Sequence, residues 1–262
     1  GVVDMYGTFG SCTNLEISPE LPDTIKDMTS TFYGCSKLRE IPTLPNSLEK
    51  LNYAFSGCIG ISSVNNLPDS IINMHGAFEN CSNLTYIGNL PTNVQDMQET
   101  FRNCSKLETV PDIPNNVENL RLTFLNCTAL QISPKILSNK VIDMQSTFSG
   151  CSSITTTPEI PQSVENMHGT FENCTALITP PTNIPEKVKT LAFTFINCTN
   201  LKGEIEINAS INGSMTENEV VDYQGCFYNA CKNGKLTILN SSKTPIEMLN
   251  KLKDSNENII IQ

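Results

Sequence analysis

Apolar positions recur along this chain with a period of 23 or 24 residues. In each period a methionine or leucine precedes a phenylalanine by four residues, and a cysteine follows that phenylalanine by three. The cysteines that mark the period are Cys12, Cys35, Cys58, Cys81, Cys104, Cys127, Cys151, Cys174 and Cys198. A fixed period of this size is typical of stacked repeats. The pattern therefore predicts a solenoid in which nine phenylalanines, from Phe9 to Phe195, form one continuous apolar column.

Three legs are visible in each period. The first, as in residues 107–110, is rich in β-formers and predicts one short parallel strand per coil. The second, as in residues 111–114, begins and ends with proline, which cannot donate to a ladder and so ends the strand. The third, as in residues 94–101, returns along the opposite side. It is compatible with a helical turn, because Met97 and Phe101 lie four residues apart.

Glycine or asparagine usually precedes the cysteine, which predicts a tight left-handed turn at that position. Some of these asparagines also match the N-glycosylation acceptor sequence, namely Asn80, Asn103, Asn126, Asn173 and Asn197. The recurrence with the turn favours a structural role over glycosylation.

The period is interrupted after Leu201. Residues 203–219 are interpreted as an insertion, either a functional loop or a disordered bulge, before Tyr223 takes the methionine position. Leu236 then closes a tenth, distorted unit. We expect residues 1–240 to form the solenoid and residues 241–262 to form a C-terminal cap.

The predicted cap contains one helix and one strand. Thr244 is a candidate N-cap residue, Pro245 suits the first helical position, and Ile246 begins an apolar stripe that continues through Leu249 and Leu252. Residues 259–262 then predict a short strand.

The chain carries 17 lysine and arginine residues against 27 aspartate and glutamate residues, a formal charge of 17 − 27 = −10. This acidic surface argues against nucleic acid as a partner. No apolar run approaches the roughly 18 residues of a membrane helix, so we expect no direct insertion into a membrane. The sequence opens in mid-repeat at residues 2–5, and we interpret it as a fragment whose leader lies outside it.

Eleven cysteines could indicate a disulfide scaffold. One cysteine per coil at a fixed place, however, predicts a ladder of buried free thiols whose parallel side chains suit bridging poorly. Cys226 and Cys231 break the period and are the one pair to consider for a bridge.

Signals for catalysis are weak. The two histidines, His75 and His168, fall at equivalent places four coils apart, about 20 Å at the usual strand spacing, and so cannot share a site. We expect them to be solvent-facing. No nucleophile elbow, phosphate-binding loop or zinc-ligand spacing occurs, so we expect no enzyme activity, no metal and no cofactor.

Recognition is expected on the strand leg, where side chains between the buried columns point outward. The candidate binding residues are Ile17, Glu40, Ser63, Tyr86, Thr109, Ile132, Thr156 and Thr179. The position two residues after each of these, one step on from the isoleucine or valine place, is mostly proline, which predicts a shallow groove paved by proline and suited to a broad protein or extended peptide. Tyr86 is the strongest candidate anchor, because tyrosine is favoured at binding hot spots. A merely solvated face is the alternative.

The Phe-x-x-Cys-x-x-Leu-x-x-Ile unit and its proline-containing return, over about residues 2–240, resemble the leucine-rich repeats of the BspA-like surface antigen type. The resemblance implies a right-handed superhelix of the α/β horseshoe class, β-rich, with about ten coils and parallel strands on the concave face. It also implies a secreted or cell-surface module that adheres to a host or extracellular protein or glycoprotein, and we expect a monomer. A rigid spacer presenting another domain is the alternative.

Overall fold

The computed structural model describes residues 1–216, 220–239 and 243–262. Its elements in chain order are β1 (Ser63–Val64), β2 (Tyr86–Ile87), β3 (Asn183–Ile184), β4 (Gly203–Ile207), β5 (Leu236–Leu239), α1 (Ile246–Lys253) and β6 (Ile259–Ile261). β1 pairs with β2, and β3, β4, β5 and β6 form a four-stranded sheet in that order. All of these strand pairs are parallel. The elements are short because most of each coil consists of turns.

The phenylalanines form the predicted column. Neighbouring rings from Phe9 to Phe195 lie 5.3–5.9 Å apart between centroids and within 15° of parallel, and Phe227 extends the stack by one ring. From Phe32 onwards every one of these rings is at most 1% exposed. The predicted apolar column is thus confirmed. Stacked aromatic rings of this kind dominate the energetics of a core.

Backbone hydrogen bonds along the third leg alternate between two directions. The amides of Met97, Glu99 and Phe101 donate to the next coil over 2.9–3.1 Å, whereas those of Thr100 and Arg102 close tight turns within their own coil. An α-helix would have used all of these amides internally. The leg is therefore not the helical turn that the spacing allowed but a series of turns, in which every second amide donates to the neighbouring coil.

Two left-handed residues per coil make this alternation possible. The predicted one, before the cysteine, is confirmed at Gly34 (φ 71°) and Asn103 (φ 61°). A second lies two residues after the methionine position and is occupied by bulky residues such as Tyr53 (φ 51°) and Leu122 (φ 57°). L-residues other than glycine and asparagine adopt this conformation at a cost, which the inter-coil hydrogen bonds offset.

The strand leg is less regular than predicted. Two-residue strands occur at β1 and β2, and single pairs link Tyr86 to Thr109 and Thr156 to Thr179. Proline explains the difference, because it removes the amide that would extend each ladder. Where Gly88 replaces proline, its amide donates to Val64 over 2.8 Å.

The start of the third leg carries a continuous parallel ladder instead, from Asp4 to Thr190. At this position an aspartate or asparagine side chain usually accepts a hydrogen bond from the amide two residues on. Asp96 accepts from Gln98 over 2.9 Å, and Asn119 accepts from Arg121 over 3.0 Å. Either side chain therefore completes the turn, with or without a charge.

The segment interpreted as an insertion starts with β4, which lies between β3 and β5 in the sheet and so continues the strand leg. The expected end of the insertion at residue 219 and the expected boundary at residue 240 lie outside the described residues. α1 and β6 follow, and β6 pairs with β5.

The expected N-cap of α1 is wrong. Pro245 occupies the cap position, and the hydroxyl of Thr244 donates to the carbonyls of Ile207 and Ala209 over 2.9–3.0 Å. Ile246 is 51% exposed, whereas Met248 is buried in its place. Thr244 thus ties the segment before the helix to the end of β4.

We expect Phe101→Ala to reduce the free energy of unfolding by about 3–5 kcal/mol, because its ring lies between two stacked rings and leaves a cavity. Urea unfolding followed by circular dichroism measures this loss. Tyr33→Ala is the control, because Tyr33 is 49% exposed and its removal should cost little. A loss below about 1 kcal/mol at Phe101 would contradict the packed column.

Candidate functional site

The eight side chains of the predicted binding column are all exposed in the structure. Ile17 is 72% exposed, Ile132 68% and Tyr86 49%. These three side chains belong to the first, fourth and sixth repeats, so they are separate exposed points along the column and not one contiguous apolar patch.

Backbone pairing brings part of this column together. Ser63, Tyr86 and Thr109 stand opposite one another in consecutive coils, and Thr156 pairs with Thr179 in the same way. Ile17, Glu40 and Ile132 take part in no strand pair within the described ranges. The column is therefore regular in two short stretches and irregular between them.

The expected proline-paved groove is only partly present. Pro19 is exposed and Pro42 and Pro111 are half-buried, but Pro134, Pro158 and Pro181 are buried. Because proline is mostly exposed in folded proteins, the inward packing of these three prolines is a feature of the later coils and not of the residue type. Of these prolines, only Pro19, Pro42 and Pro111 retain exposed surface that a ligand could contact.

Two depressions lie beside the first coils of the column. One, of about 360 Å³, is lined by Glu40 and Ser63 of the column together with Pro42 and Asn65. The other, of about 420 Å³, is lined by Pro19 and Pro42 among others. Both have polar and apolar walls and are open to solvent, which is compatible with contact to a protein surface.

The histidines lie on the third leg and are half-buried, so the expectation that they face solvent is wrong. His75 Nε2 lies 2.7 Å from the Tyr53 hydroxyl, and its Nδ1 lies 3.9 Å from an Asp96 carboxylate oxygen. His168 packs edge-on against Phe193 with centroids 5.5 Å apart. These contacts explain both histidines by packing and hydrogen bonding.

The cysteines form the predicted ladder of free thiols, and Cys226 and Cys231 are also free. Each thiol from Cys35 to Cys198 donates to the carbonyl of the phenylalanine in the preceding coil, over 3.0–3.1 Å. Burial raises the pKa of Cys58 and Cys151 to about 12. A thiol with so high a pKa is a poor nucleophile at neutral pH, so the ladder is structural.

The asparagines of the glycosylation-like sequences also form a ladder. Asn103 donates to Asn80 over 2.8 Å, and Asn126 donates to Asn103 over 2.9 Å. Their backbones are left-handed, as the turn requires. The side-chain amides are thus engaged with one another, which supports the structural interpretation.

A larger cavity, which the sequence did not indicate, lies beside the insertion. Its volume is about 670 Å³, and the lining includes Asp143, Glu165, Lys189, Met215 and Asp222. The available sequence signal was the interruption of the 23-residue period after Leu201. That signal located the insertion but not the repeat positions over which it folds.

Within the described ranges, no group of three or more histidine, cysteine, aspartate or glutamate residues is arranged to hold a metal ion. The same part of the chain contains no helix with the length and apolar character needed to cross a membrane.

Parallel coils, stacked apolar columns and a fixed period place the chain among the leucine-rich repeat proteins. A family model described as "BspA type Leucine rich repeat region (6 copies)" matches residues 6–131 and 123–248. The chain belongs to this BspA-type leucine-rich repeat family.

Several solved structures are similar to the chain at low sequence identity. The pneumococcal vaccine antigen PcpA matches with a TM-score of 0.51 and 17% identity, over 95% of this chain and 68% of that one. A leucine-rich repeat protein from Bacteroides ovatus matches with a TM-score of 0.48 and 17% identity, over 100% and 87% of the two chains. A leucine-rich cell surface protein from Faecalibacterium prausnitzii matches with a TM-score of 0.44 and 16% identity, over 96% and 86%. The search of curated proteins returned no match.

We expect one thiol of the native protein to react readily with Ellman's reagent, because Cys12 is exposed and the other ten cysteines are buried. Because burial raises the pKa of Cys58 and Cys151 to about 12, raising the pH from 7 to 9 should leave both unreactive in the folded chain. All eleven thiols should react in denaturant. Absorbance at 412 nm counts them, and Cys12→Ser should abolish the fast native reaction. Rapid reaction of several thiols in the folded state would contradict a buried ladder.

Proposed function

We propose that this chain is a non-catalytic binding module whose strand-leg column contacts a protein or glycoprotein. The observation that carries the proposal is the exposure of all eight column side chains in eight consecutive repeats, with Ile17, Tyr86 and Ile132 among them. A repeated scaffold that holds exposed side chains in one line favours an extended contact surface.

The kind of partner follows from the shape and composition of this surface. The column carries three large exposed side chains and several small polar ones, and the depressions beside it are open to solvent. Small-molecule sites are typically concave and bury most of their ligand. The column therefore suits a broad protein surface or an extended peptide, with Tyr86 as the central anchor.

The proposal extends to the form and location of the module. About ten coils would wind as a right-handed superhelix with the strand leg on the concave face, and residues 241–262 would seal the last coil. One solved neighbour is described as a cell surface protein and another as a vaccine antigen. For this chain we propose a secreted or cell-surface location, a monomeric state and adhesion to a host or extracellular protein.

A second candidate function is that of a rigid spacer that presents another domain. The uninterrupted ring stack from Phe9 to Phe227 favours it, because continuous packing between neighbours stiffens a repeat array. A spacer would not depend on the identity of the exposed column residues.

We expect each of the substitutions Tyr86→Ala, Glu40→Ala and Ile132→Asp, made separately, to weaken capture of a protein partner. For Tyr86→Ala the loss of affinity should be at least about tenfold, as for a hot-spot residue. The measurement is biolayer interferometry of the purified chain against a panel of extracellular matrix and cell-surface glycoproteins. Because all three side chains are exposed, the melting temperature should not change.

Tyr33→Ala is the matched control, because Tyr33 and Tyr86 are each 49% exposed but Tyr33 lies on the third leg. If the three column variants and the control all bind as well as the parent, the column is not the binding surface. If the parent binds no glycoprotein of the panel at micromolar concentration, the spacer interpretation is favoured.

A further inference from the structure

The cavity beside the insertion has a floor and a wall of different origin. Its floor is formed by the start of the third leg in consecutive repeats, where Ile142, Glu165 and Lys189 occupy one column and Asp143 and Asn166 the next. Its wall is the segment 210–216 of the insertion, including Ser214 and Met215. Neither part would form a cavity without the other.

Asp222 holds the wall in place. Its buried carboxylate accepts hydrogen bonds from the amides of Asn212 and Gly213 over 2.9–3.1 Å, and its amide donates to Ser214 over 3.0 Å. In earlier repeats the equivalent carboxylate, as in Asp96, accepts from its own turn instead. The repeat position that closes a turn elsewhere thus serves here to fix the insertion. A wall held by charge-assisted hydrogen bonds is a built feature of the fold.

The cavity lining is acidic. Among the lining residues that the structure describes, three carboxylates, those of Asp143, Glu165 and Asp222, face one ammonium, that of Lys189, which gives a net charge of −3 + 1 = −2. Glu165 and Lys189 pair over 2.5 Å, and Asp222 is engaged with the insertion backbone. Asp143 completes its own turn by accepting from Gln145 over 2.7 Å. The excess negative charge at this surface favours a cationic group.

Two exposed apolar side chains border the same cavity. Ile142 on the floor is 51% exposed, and Met215 in the wall is 64% exposed. A long basic side chain buries its aliphatic stem along such surfaces while its charged end meets a carboxylate.

We propose that this cavity binds an arginine side chain of a protein partner, with its stem between Ile142 and Met215 and its guanidinium at Asp143. Arginine fits better than lysine, because its guanidinium is more weakly hydrated and matches a carboxylate with two parallel donors. The cavity is lined by the third leg and the insertion, whereas the binding column lies on the strand leg. The proposed arginine site therefore does not depend on whether the column binds a partner.

Methyl-labelled methionine gives a direct test, because the chain has eight methionines and the other seven are buried. The probe is the peptide acetyl-Gly-Arg-Leu-amide, titrated to about 20 mM against the full chain. The Met215 resonance, assigned with Met215→Leu, should shift and saturate with a dissociation constant on the order of 1 mM, the level of a weak single contact. The resonances of Met28 and Met74 should not move. The same peptide with citrulline should bind at least about fivefold more weakly, because it lacks the charge.

Asp143→Asn tests the charged contact without removing the turn, since Asn73, Asn119 and Asn166 complete the equivalent turns. We expect it to weaken peptide binding about threefold to fivefold. Asp27→Asn makes the same change at the equivalent position outside the cavity and should leave binding unchanged. The proposal is overturned by an unshifted Met215 resonance, by equal binding of the citrulline peptide, or by equal losses in the two variants.

Discussion

The stacking of each side chain on its own equivalent is the interaction on which the rest of the structure depends. A single coil has too few residues to bury its phenylalanine, methionine and cysteine, and half of its third-leg amides have no acceptor within the coil. Each neighbouring coil covers these apolar side chains and also provides carbonyl acceptors for these amides. Burying one such aromatic side chain contributes about 1.5–3 kcal/mol, which no isolated coil could obtain. The apolar columns and the inter-coil hydrogen bonds are therefore one cooperative system, and everything outside it is free to differ between coils.

This dependence explains which features could be predicted from the sequence. The phenylalanine and cysteine columns were predictable, because a side chain that packs on the equivalent side chain of the next coil recurs in the sequence at the period of the repeat. The left-handed residue before the cysteine was predictable from glycine and asparagine. The second left-handed position was not predicted. Glycine occupies it in some coils (Gly7, Gly76, Gly169 and Gly225), but other coils have residues that rarely adopt this conformation, such as Tyr53, Glu99 and Leu122. The inter-coil hydrogen bonds that enforce this conformation join backbone atoms, so they do not require a particular residue type.

The remaining differences arise where tertiary contacts compete with local signals. Thr244 is of the residue type preferred at an N-cap, yet its hydroxyl donates to the carbonyls of Ile207 and Ala209, at and just after the end of β4. The prolines of the later coils are packed inward, whereas the sequence suggested a surface groove. The candidate binding column could be placed from alternation alone, since exposure follows the strand leg. The cavity beside the insertion could not, because it requires knowing that the loop folds back onto the third leg and that Asp222 receives it.

The equal spacing of the ring stack has a consequence for how such a chain changes length. Every junction between neighbouring coils presents nearly the same surface, so removing or duplicating one whole period joins two surfaces that already fit. A change of this kind shortens or extends the scaffold by one step and shifts the exposed side chains relative to one another. Gene recombination between repeats can therefore rearrange the outer surface while the interior stays the same. A change that does not match the period would have to be absorbed in a loop, as the insertion after Leu201 is.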